Sequence, residues 1–399
     1  MLIQENPPVH LTYCMNVHPG ESWGDILATI KYKVPAVRKA VAPDRPFGLG
    51  LRLGHPAALE LSRPKNIQAL KHVLERQDMY VFTINGFPYG DFHRHHLKRD
   101  VFAPDWRTED RRDYTMMLAD ILAALLPQDH ITGSISTVPC SFRSWPDGLD
   151  DISLMLKNLL EVIVHLALLA DKTSRIIQLA LEPEPDGYLE NAHECIEFIC
   201  DQLLRWGPDF VSHNLACDHR TSTELIRRHL GLCLDTCHAA VQFEEPMNIL
   251  QQCRTRKVSI PKIQLTAALE CVIDEQTPSV LSGFAEDTYL HQTRIRGRKS
   301  LRSWPDLPDV LDDLAYQKKG SLLRCHYHVP LFWEGTPPLR STRSVLSPAF
   351  MRQLKKGASP HLELETYTFN ILPPEIKPSG LQQGIIREFE WFMDQWNAT

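Results

Sequence analysis

Three carboxylates in the 399-residue chain stand where short apolar runs end. Glu182 closes the run in IIQLALEPEP, Asp235 closes that in GLCLDTCH, and Glu365 stands in HLELETYTF, two residues past Glu363. Pro183 and Pro185 stop regular continuation after Glu182. A carboxylate at a strand end commonly caps the next helix, and Asp235 alone reads equally well that way. Three of them at one mouth would repel one another. A divalent cation relieves the repulsion: carboxylate or amide oxygens suit Mg2+ and Mn2+, and an added imidazole brings in Co2+ or Zn2+. The expected metal set is Glu182, Asp235 and Glu365, with a fourth donor from the chain between the last two. Gln264 ends PKIQL, and His328 ends LLRCHYH with His326 on the same strand face, so both are candidates.

Such an ion, bound by adjacent carbonyl and hydroxyl oxygens, acts as a Lewis acid and eases removal of the C–H proton between them. Glu182 and Glu365 are the candidate catalytic base and acid, and Asp235 mainly a ligand. The chemistry expected is isomerisation or epimerisation of a hydroxy-carbonyl compound. The alternative is a barrel that binds a metabolite without turning it over and passes it on.

Positioning these groups requires strands that end together. Candidate strands are Leu11–Val17, Phe47–Leu53, Tyr80–Asn85, Ile131–Val138, Ile176–Glu182, Gly231–Asp235, Ser259–Gln264 and Leu362–Tyr367. Helical patterns lie between them, most clearly Ile152–Leu169 and Ala192–Leu204, with apolar residues every three to four positions. Alternation of this kind is the signature of a parallel sheet. Eight strands with helical crossovers point to an α/β fold, a (β/α)8 TIM barrel, whose active site lies at the C-terminal strand ends. An open doubly wound sheet is the structural alternative, and no G-x-G-x-x-G follows an early strand. Two further strand-like runs, Thr288–Gln292 and Leu322–His328, exceed the eight. The expectation is one domain over residues 1–399 with an insertion at about 265–320. The basic run RIRGRKSLR, Arg294–Arg302, lies in it and reads as an exposed loop or a phosphate-gripping lid.

Composition is that of a globular protein, with 43% apolar and 23% charged residues. A formal charge of −6 offers no general attraction to nucleic acid or to an anionic membrane. The opening residues MLIQENPPVH lack a basic start and an apolar run, so no secretory signal is expected. The longest apolar stretch, Leu159–Ala170, is interrupted by Glu161 and His165 and reads as a buried helix, not a membrane span of about 18 residues. Ten cysteines without a C-x-x-C pair suit a reducing cytosol better than a disulfide framework, and a cytoplasmic location is expected. Around the expected mouth, His18 and Glu21 follow the first strand, His55 the second and Asn85 the third. His93, His95 and His96 crowd the loop after Asn85. These are candidate substrate contacts or solvated loop groups, and Tyr89, Phe92, Trp106 and Trp145 are candidate pocket walls.

The succession LEPEP, LDTCH, a strand-end Gln or His and then ELET resembles the xylose isomerase-like barrel superfamily of sugar isomerases, epimerases and endonuclease IV. The resemblance implies a metal held by Glu182, Asp235, Gln264 or His328, and Glu365, with His238 of the D-x-x-H turn near the substrate. It is more specific to one subgroup, the metabolite traffic protein EboE family. That rests on HLTYCMNVHPGESW, LGLRLGHPAA, INGFPYGDFH, LALEPEP, CLDTCHA, YLHQ, RCHYHVPLF and HLELETYTFNILP, from residue 10 to about 373. It implies a sugar or cyclitol-like metabolite in a secondary-metabolite (ebo-type) pathway. With the loop positions, the candidate substrate contacts are His18, His55, Asn85, His93, Glu184, His238, His291 and His326, of which the resemblance itself implies His238. A homo-oligomer or a protein partner from the same pathway is left open. An endonuclease IV-like phosphodiesterase is a third reading, which the acidic net charge and the lack of a basic stripe disfavour.

Overall fold

The computed structural model describes residues 1–128, 132–298, 300–314, 317–369, 371–374 and 377–399. Ile131, at the start of one expected strand, and Lys299, within the basic run, lie outside the described residues.

A short β1 (Leu2–Glu5) runs antiparallel to β2 (Pro8–Tyr13), which begins a parallel ring. The ring continues through β3 (Phe47–Arg52), β4 (Met79–Asn85), β5 (Gly133–Thr137), β6 (Ile177–Leu181), β7 (Leu230–Asp235) and β8 (Ser259–Leu265). Five strands then form a separate sheet: β9 (Ala267–Val272), β10 (Thr293–Arg296), β11 (Leu301–Trp304), β12 (Leu322–Val329) and β13 (Leu339–Ser341). β14 (His361–Leu364) returns to the ring between β8 and β2. The eight parallel strands are thus ordered β2-β14-β8-β7-β6-β5-β4-β3. A parallel bridge between Cys14 and Gly50 joins the two ends. Thr12 Oγ1 reinforces the closure by donating to Gly48 O at 2.8 Å and accepting from Gly50 N at 3.0 Å. Each barrel strand overlaps one expected from sequence. The first ends early because Met15–Val17 coils into a 3-10 turn.

The glycines of FGLGLR serve this interior. A Cβ on Gly48 would come within 2.4 Å of the Phe82 ring, and one on Gly50 within 2.0 Å of Glu363 Oε1. Leu49 and Leu51, alternating with them, point out to the helices and are fully buried. Among those helices, Leu149–Thr173 buries Met155, Leu159, Val162, Ile163 and Leu166 at helical spacing. It packs on the helices Glu109–Leu125 and Leu204–Leu215. It is also the one helix among the described residues long and apolar enough to cross a membrane, by length and composition alone. The expected Ala192–Leu204 helix runs on to Leu215 through a π-helical turn at Phe198–Leu203. Pro208 follows that turn and has no N–H to give. All ten cysteines are free.

The inserted sheet is antiparallel throughout, ordered β11-β10-β12-β9-β13. One expected strand, Thr288–Gln292, is irregular because side chains take its amides. Thr288 N and Tyr289 N each donate to the Glu286 carboxylate at 2.7 Å, and His291 N donates to Asp306 Oδ1 at 3.0 Å. Ladder pairing begins only at Thr293. The described residues of the basic run on either side of Lys299 pair antiparallel as β10 and β11. Arg294 within it is fully buried and paired with Asp186 at 2.8 Å and with Glu190, while Arg296 lies 4.2 Å from the Phe243 ring centre. β9 follows β8 after a single residue, and β12 carries His326 and His328 over the barrel mouth.

Candidate metal and active site

Asp235 ends β7 and caps the helix Thr236–Val241. Its Oδ1 accepts from Cys237 N at 2.6 Å and His238 N at 3.0 Å. The capping role occupies only that oxygen, for Oδ2 is buried with no hydrogen-bond partner among the described residues. Glu182 follows β6, its N–H given to Thr137 O at 3.0 Å. Its Oε1 lies 3.9 Å from His238 Nδ1, and its Oε2 is also buried without a partner. Glu365, just past β14, is different. Its Oε1 accepts from Asn16 Nδ2 and Asn85 Nδ2 at 2.8 Å each, and its Oε2 accepts from Gln264 Nε2. Gln264 in turn accepts the Cys233 thiol at its Oε1, 2.8 Å away. Both ends of the Gln264 amide are therefore engaged beneath the mouth.

Burial, followed by the nearby Asp235 charge, pushes the Glu182 carboxyl well above the ordinary range. Burial, then Glu182 and Asp235, do the same to Glu365. Asp235 is raised by burial too, although His328 and the two helix amides pull it down. Glu184 is pushed up to about 8 by burial, against the pull of the Gln292 amide. These are the shifts of acids gathered away from water, which the pull of Lys262 from the layer below does not offset.

Three imidazoles complete the mouth. His238 Nε2 and His326 Nε2 are 3.1 Å apart, and His326 Nε2 and His328 Nε2 are 3.0 Å apart. Each ring leans on a fixed oxygen at Nδ1: His238 on Pro183 O at 3.0 Å, His326 on Gln292 Oε1 at 2.6 Å, His328 on Glu365 O at 2.6 Å. Burial holds His238 down at about 3, His328 at about 4 and His326 well below its ordinary value, so the rings are neutral near pH 7. Candidate donor atoms of Asp235, His238 and His328 lie within 4.8 Å of one another, as do those of Glu184, His238 and His326.

A cavity of about 50 Å³ lies against these groups. That holds a few water molecules at roughly 10–15 Å³ each. Its polar side is Asn16, Asn85, Glu182, Glu184, Glu365 and the three histidines, and its apolar side includes Phe87, Phe92, Leu97, Tyr289 and Tyr367. Of the sequence candidates, Glu182, Glu365, His328, Asn85, Glu184, His238 and His326 line it, while Asp235 and Gln264 stand just behind. His93 is one bond removed, with Nε2 donating to Asn16 O at 2.8 Å and Nδ1 facing Tyr289 Oη at 3.0 Å. His18 turns to Tyr13 Oη at 2.9 Å, and His55 stacks on Tyr89 with ring centres 4.7 Å apart. His291 lies behind β12, between His326 O at 2.8 Å and Glu286 at 2.9 Å. Glu21 pairs with Arg52 at 2.6 Å, and His95 and His96 are exposed. Phe92 is a wall of the cavity, and Trp106 is fully buried core.

Sequence reasoning passes over Asn16, Gln292 and Lys262. Asn16 and Gln292 carry no signal of their own, since their roles come from partners far along the chain. Lys262 does carry one: it is the only charge in the strand SIPKIQL and shares the Gln264 face.

No protein-family model matches the chain, and no curated protein matches it in sequence. Among solved structures it is similar to an IolI protein with a bound zinc atom, at 11% identity and TM-score 0.48, covering 98% of this chain and 99% of that one. A xylose isomerase domain protein from Alicyclobacillus acidocaldarius subsp. acidocaldarius gives 11% identity and TM-score 0.45 over 97% and 98%. A putative sugar phosphate isomerase/epimerase from Anabaena variabilis gives 11% and 0.44 over 98% and 99%. Likeness at this level says nothing of what this chain binds, and the barrel assignment stands on the strand order.

Proposed function

We propose that the chain is a divalent-metal-dependent isomerase or epimerase of a small polyhydroxy carbonyl compound, a sugar or cyclitol-like molecule. The observation that carries this reading is the contrast at one small cavity between Glu365, held by three amides, and Glu182 and Asp235, each with a buried oxygen left without a partner. Partnerless buried carboxylate oxygens beside neutral imidazoles fit a divalent cation such as Mn2+, Co2+, Zn2+ or Mg2+. Glu182, Asp235 and His328 would hold it, because the oxygen of Gln264 already faces the Cys233 thiol. When bound, the ion supplies Lewis-acid stabilisation of negative charge on neighbouring oxygens.

The chain's own groups do the rest. Asn16, Asn85 and Gln264 fix the plane of the Glu365 carboxylate, so its proton is taken or given at a set place. Glu182 reaches the cavity from β6, with β7 and β8 between it and β14. A substrate there would meet carboxylates from two different strands, one to take a proton and one to give it. Phe92, Tyr289 and Tyr367 pack on one another over the cavity and exclude water. Lys98 ties that cover down, donating to Glu286 O and Tyr289 O at 2.8 Å each. The resemblance to the metabolite traffic protein EboE family would put the compound in a secondary-metabolite pathway.

The test is solvent deuterium incorporation beside the carbonyl across a panel of ketoses and inososes, with and without each metal. Metal-dependent exchange is expected, reduced roughly 100- to 10,000-fold in Glu365→Gln while the metal stays bound. Ligands that bind with no exchange under any metal would leave only a carrier.

A further inference from the structure

The three imidazoles have their protons assigned by their neighbours. A backbone carbonyl cannot donate, so Pro183 O and Glu365 O each require an N–H on the Nδ1 they face, in His238 and His328. The Gln292 amide is oriented by two acceptors of its own. Its Nε2 donates to Glu184 Oε1 and to Pro185 O, both at 2.9 Å, which turns its Oε1 to His326 Nδ1. All three rings are thus Nδ1–H tautomers with bare lone pairs at Nε2. Those are the atoms that meet, at 3.1 Å from His238 to His326 and 3.0 Å from His326 to His328. Lone pairs opposed at hydrogen-bond distance repel. One proton on His326 Nε2 could satisfy one of its two contacts squarely but not the other. A cation lying among the three satisfies both. An acceptor on the far nitrogen is also the arrangement that orients a metal-ligating imidazole.

We infer that His238 and His326 join His328 on the ion through their Nε2 atoms, beside the carboxylates of Asp235 and Glu182, so the site selects a borderline transition metal over Mg2+. Donor atoms of Asp235, His238 and His328 already lie within 4.8 Å of one another. Three nitrogens with carboxylate oxygens make a set for Zn2+ or Co2+, whereas Mg2+ takes oxygens in a near-ideal octahedron. Glu365, held by its amides, stays off the metal and keeps the remaining lone pair of Oε2 for the substrate. The inference rests on the proposed reading only in sharing its mouth.

The experiment uses the full chain, stripped with chelator and reloaded with Co2+, Zn2+ or Mg2+. Co2+ should give the visible absorption of a nitrogen-rich low-coordinate site, and a thousand-fold excess of Mg2+ should not displace it. X-ray absorption on the Zn2+-loaded wild type should count three imidazoles. His326→Ala should weaken Co2+ binding by at least about 100-fold, and Gln292→Leu, which keeps every ligand but unlocks one ring, by roughly 10- to 100-fold. Glu365→Gln should keep the Co2+ spectrum. Fewer than three imidazoles in the wild-type absorption spectrum, or equal affinity for Mg2+ and Co2+, overturns the inference whether or not the variants fold. So does unchanged Co2+ affinity in a folded His326→Ala. Three imidazoles on the metal with no deuterium exchange for any compound would keep this inference and remove the isomerase.

Discussion

Two polar clusters are buried inside the barrel, one layer apart. In the lower, Lys262 Nζ lies 2.6 Å from Glu363 Oε2, both fully buried, and His361 Nδ1, Ser134 Oγ and Thr83 Oγ1 form a chain with steps of 2.8 Å. Opposite charges in direct contact hold the pair, and Lys262 draws the Glu363 carboxyl down against its burial. Burial would lower the Lys262 ammonium, but Glu363 beside it raises it above the ordinary value. The upper cluster, at the mouth, contains Glu182, Glu184, Asp235 and Glu365. The sole Lys or Arg among the described residues lining its cavity, Lys98, is spent on Asp306 at 2.7 Å. The lower cluster holds its cation in contact, and the upper one feels that cation only from a layer away. Burial of charge is common to both layers; burial without a cation in contact is what sets the candidate site apart.

The largest effect should come from spoiling the compensated cluster. Lys262→Met strands Glu363 in the interior and should lower unfolding free energy by roughly 3–5 kcal/mol in a denaturant titration. Adding Glu363→Leu to it should restore much of the loss. A single variant as stable as the wild type would mean that the pair is not what holds the lower layer.

The next effect belongs to the uncompensated cluster. Zn2+ or Co2+ at about a hundred times its dissociation constant should raise unfolding free energy by about 2.7 kcal/mol, and chelator should take it away. The double variant Glu182→Gln with Asp235→Asn should melt at the same temperature with or without metal. A double variant that still responds in full would place the ion elsewhere.

This contrast is only half legible in the sequence. The barrel strands are apolar runs with helices between, and the polar residues that close those runs are enough to mark the mouth. Lys262, alone in its strand, points to an interior partner. The state of the upper cluster is not legible, because it depends on atoms and not residue types. Asp235 caps a helix with one oxygen and leaves the other bare. Whether Gln264 or His328 has a free donor turns on the Cys233 thiol. The tautomer of His326 is set by Gln292, which is set by Glu184 and Pro185, over a hundred positions away. The inserted sheet is hard to read for a related reason. Its short antiparallel strands are defined by their pairing, and Glu286 and Asp306 take amides that the run Thr288–Gln292 would offer to a ladder.

Glu388 is an intermediate case, a buried carboxyl that accepts from Leu331 N at 3.0 Å and Thr366 Oγ1 at 2.7 Å. Burial pushes it up to about 7, against the pull of those two donors. A carboxyl whose folded value is raised binds more protons folded than unfolded, so stability falls as pH rises from about 4.5 to about 7. The loss attached to this group should be about 3 kcal/mol. Glu388→Gln should flatten that part of the pH–stability curve. An unchanged slope would show that the two hydrogen bonds already suffice to hold the anion.

The smallest effect tests the comparison most closely, because it makes one chemical change in both layers. Glu363→Gln removes the anion from Lys262 and should cost several kcal/mol, as its partner charge is left buried. Glu182→Gln removes an anion whose Oε2 has no partner and whose neighbour is another acid, Asp235. In metal-free protein it should change stability by less than about 1 kcal/mol, the range in which a buried polar group is exchanged without breaking a bond. The sign should move with pH. The Glu182 carboxyl is raised by burial and by Asp235, so the wild type loses ground to the amide variant as pH rises. Saturating metal should reverse the order, because the wild type gains a ligand–metal bond that the amide makes less well. Denaturant curves for the two variants, each with and without metal, read all four values. Equal losses in both layers without metal would mean that Glu182 has a structural partner, and the mouth would then be a second compensated cluster and not a site.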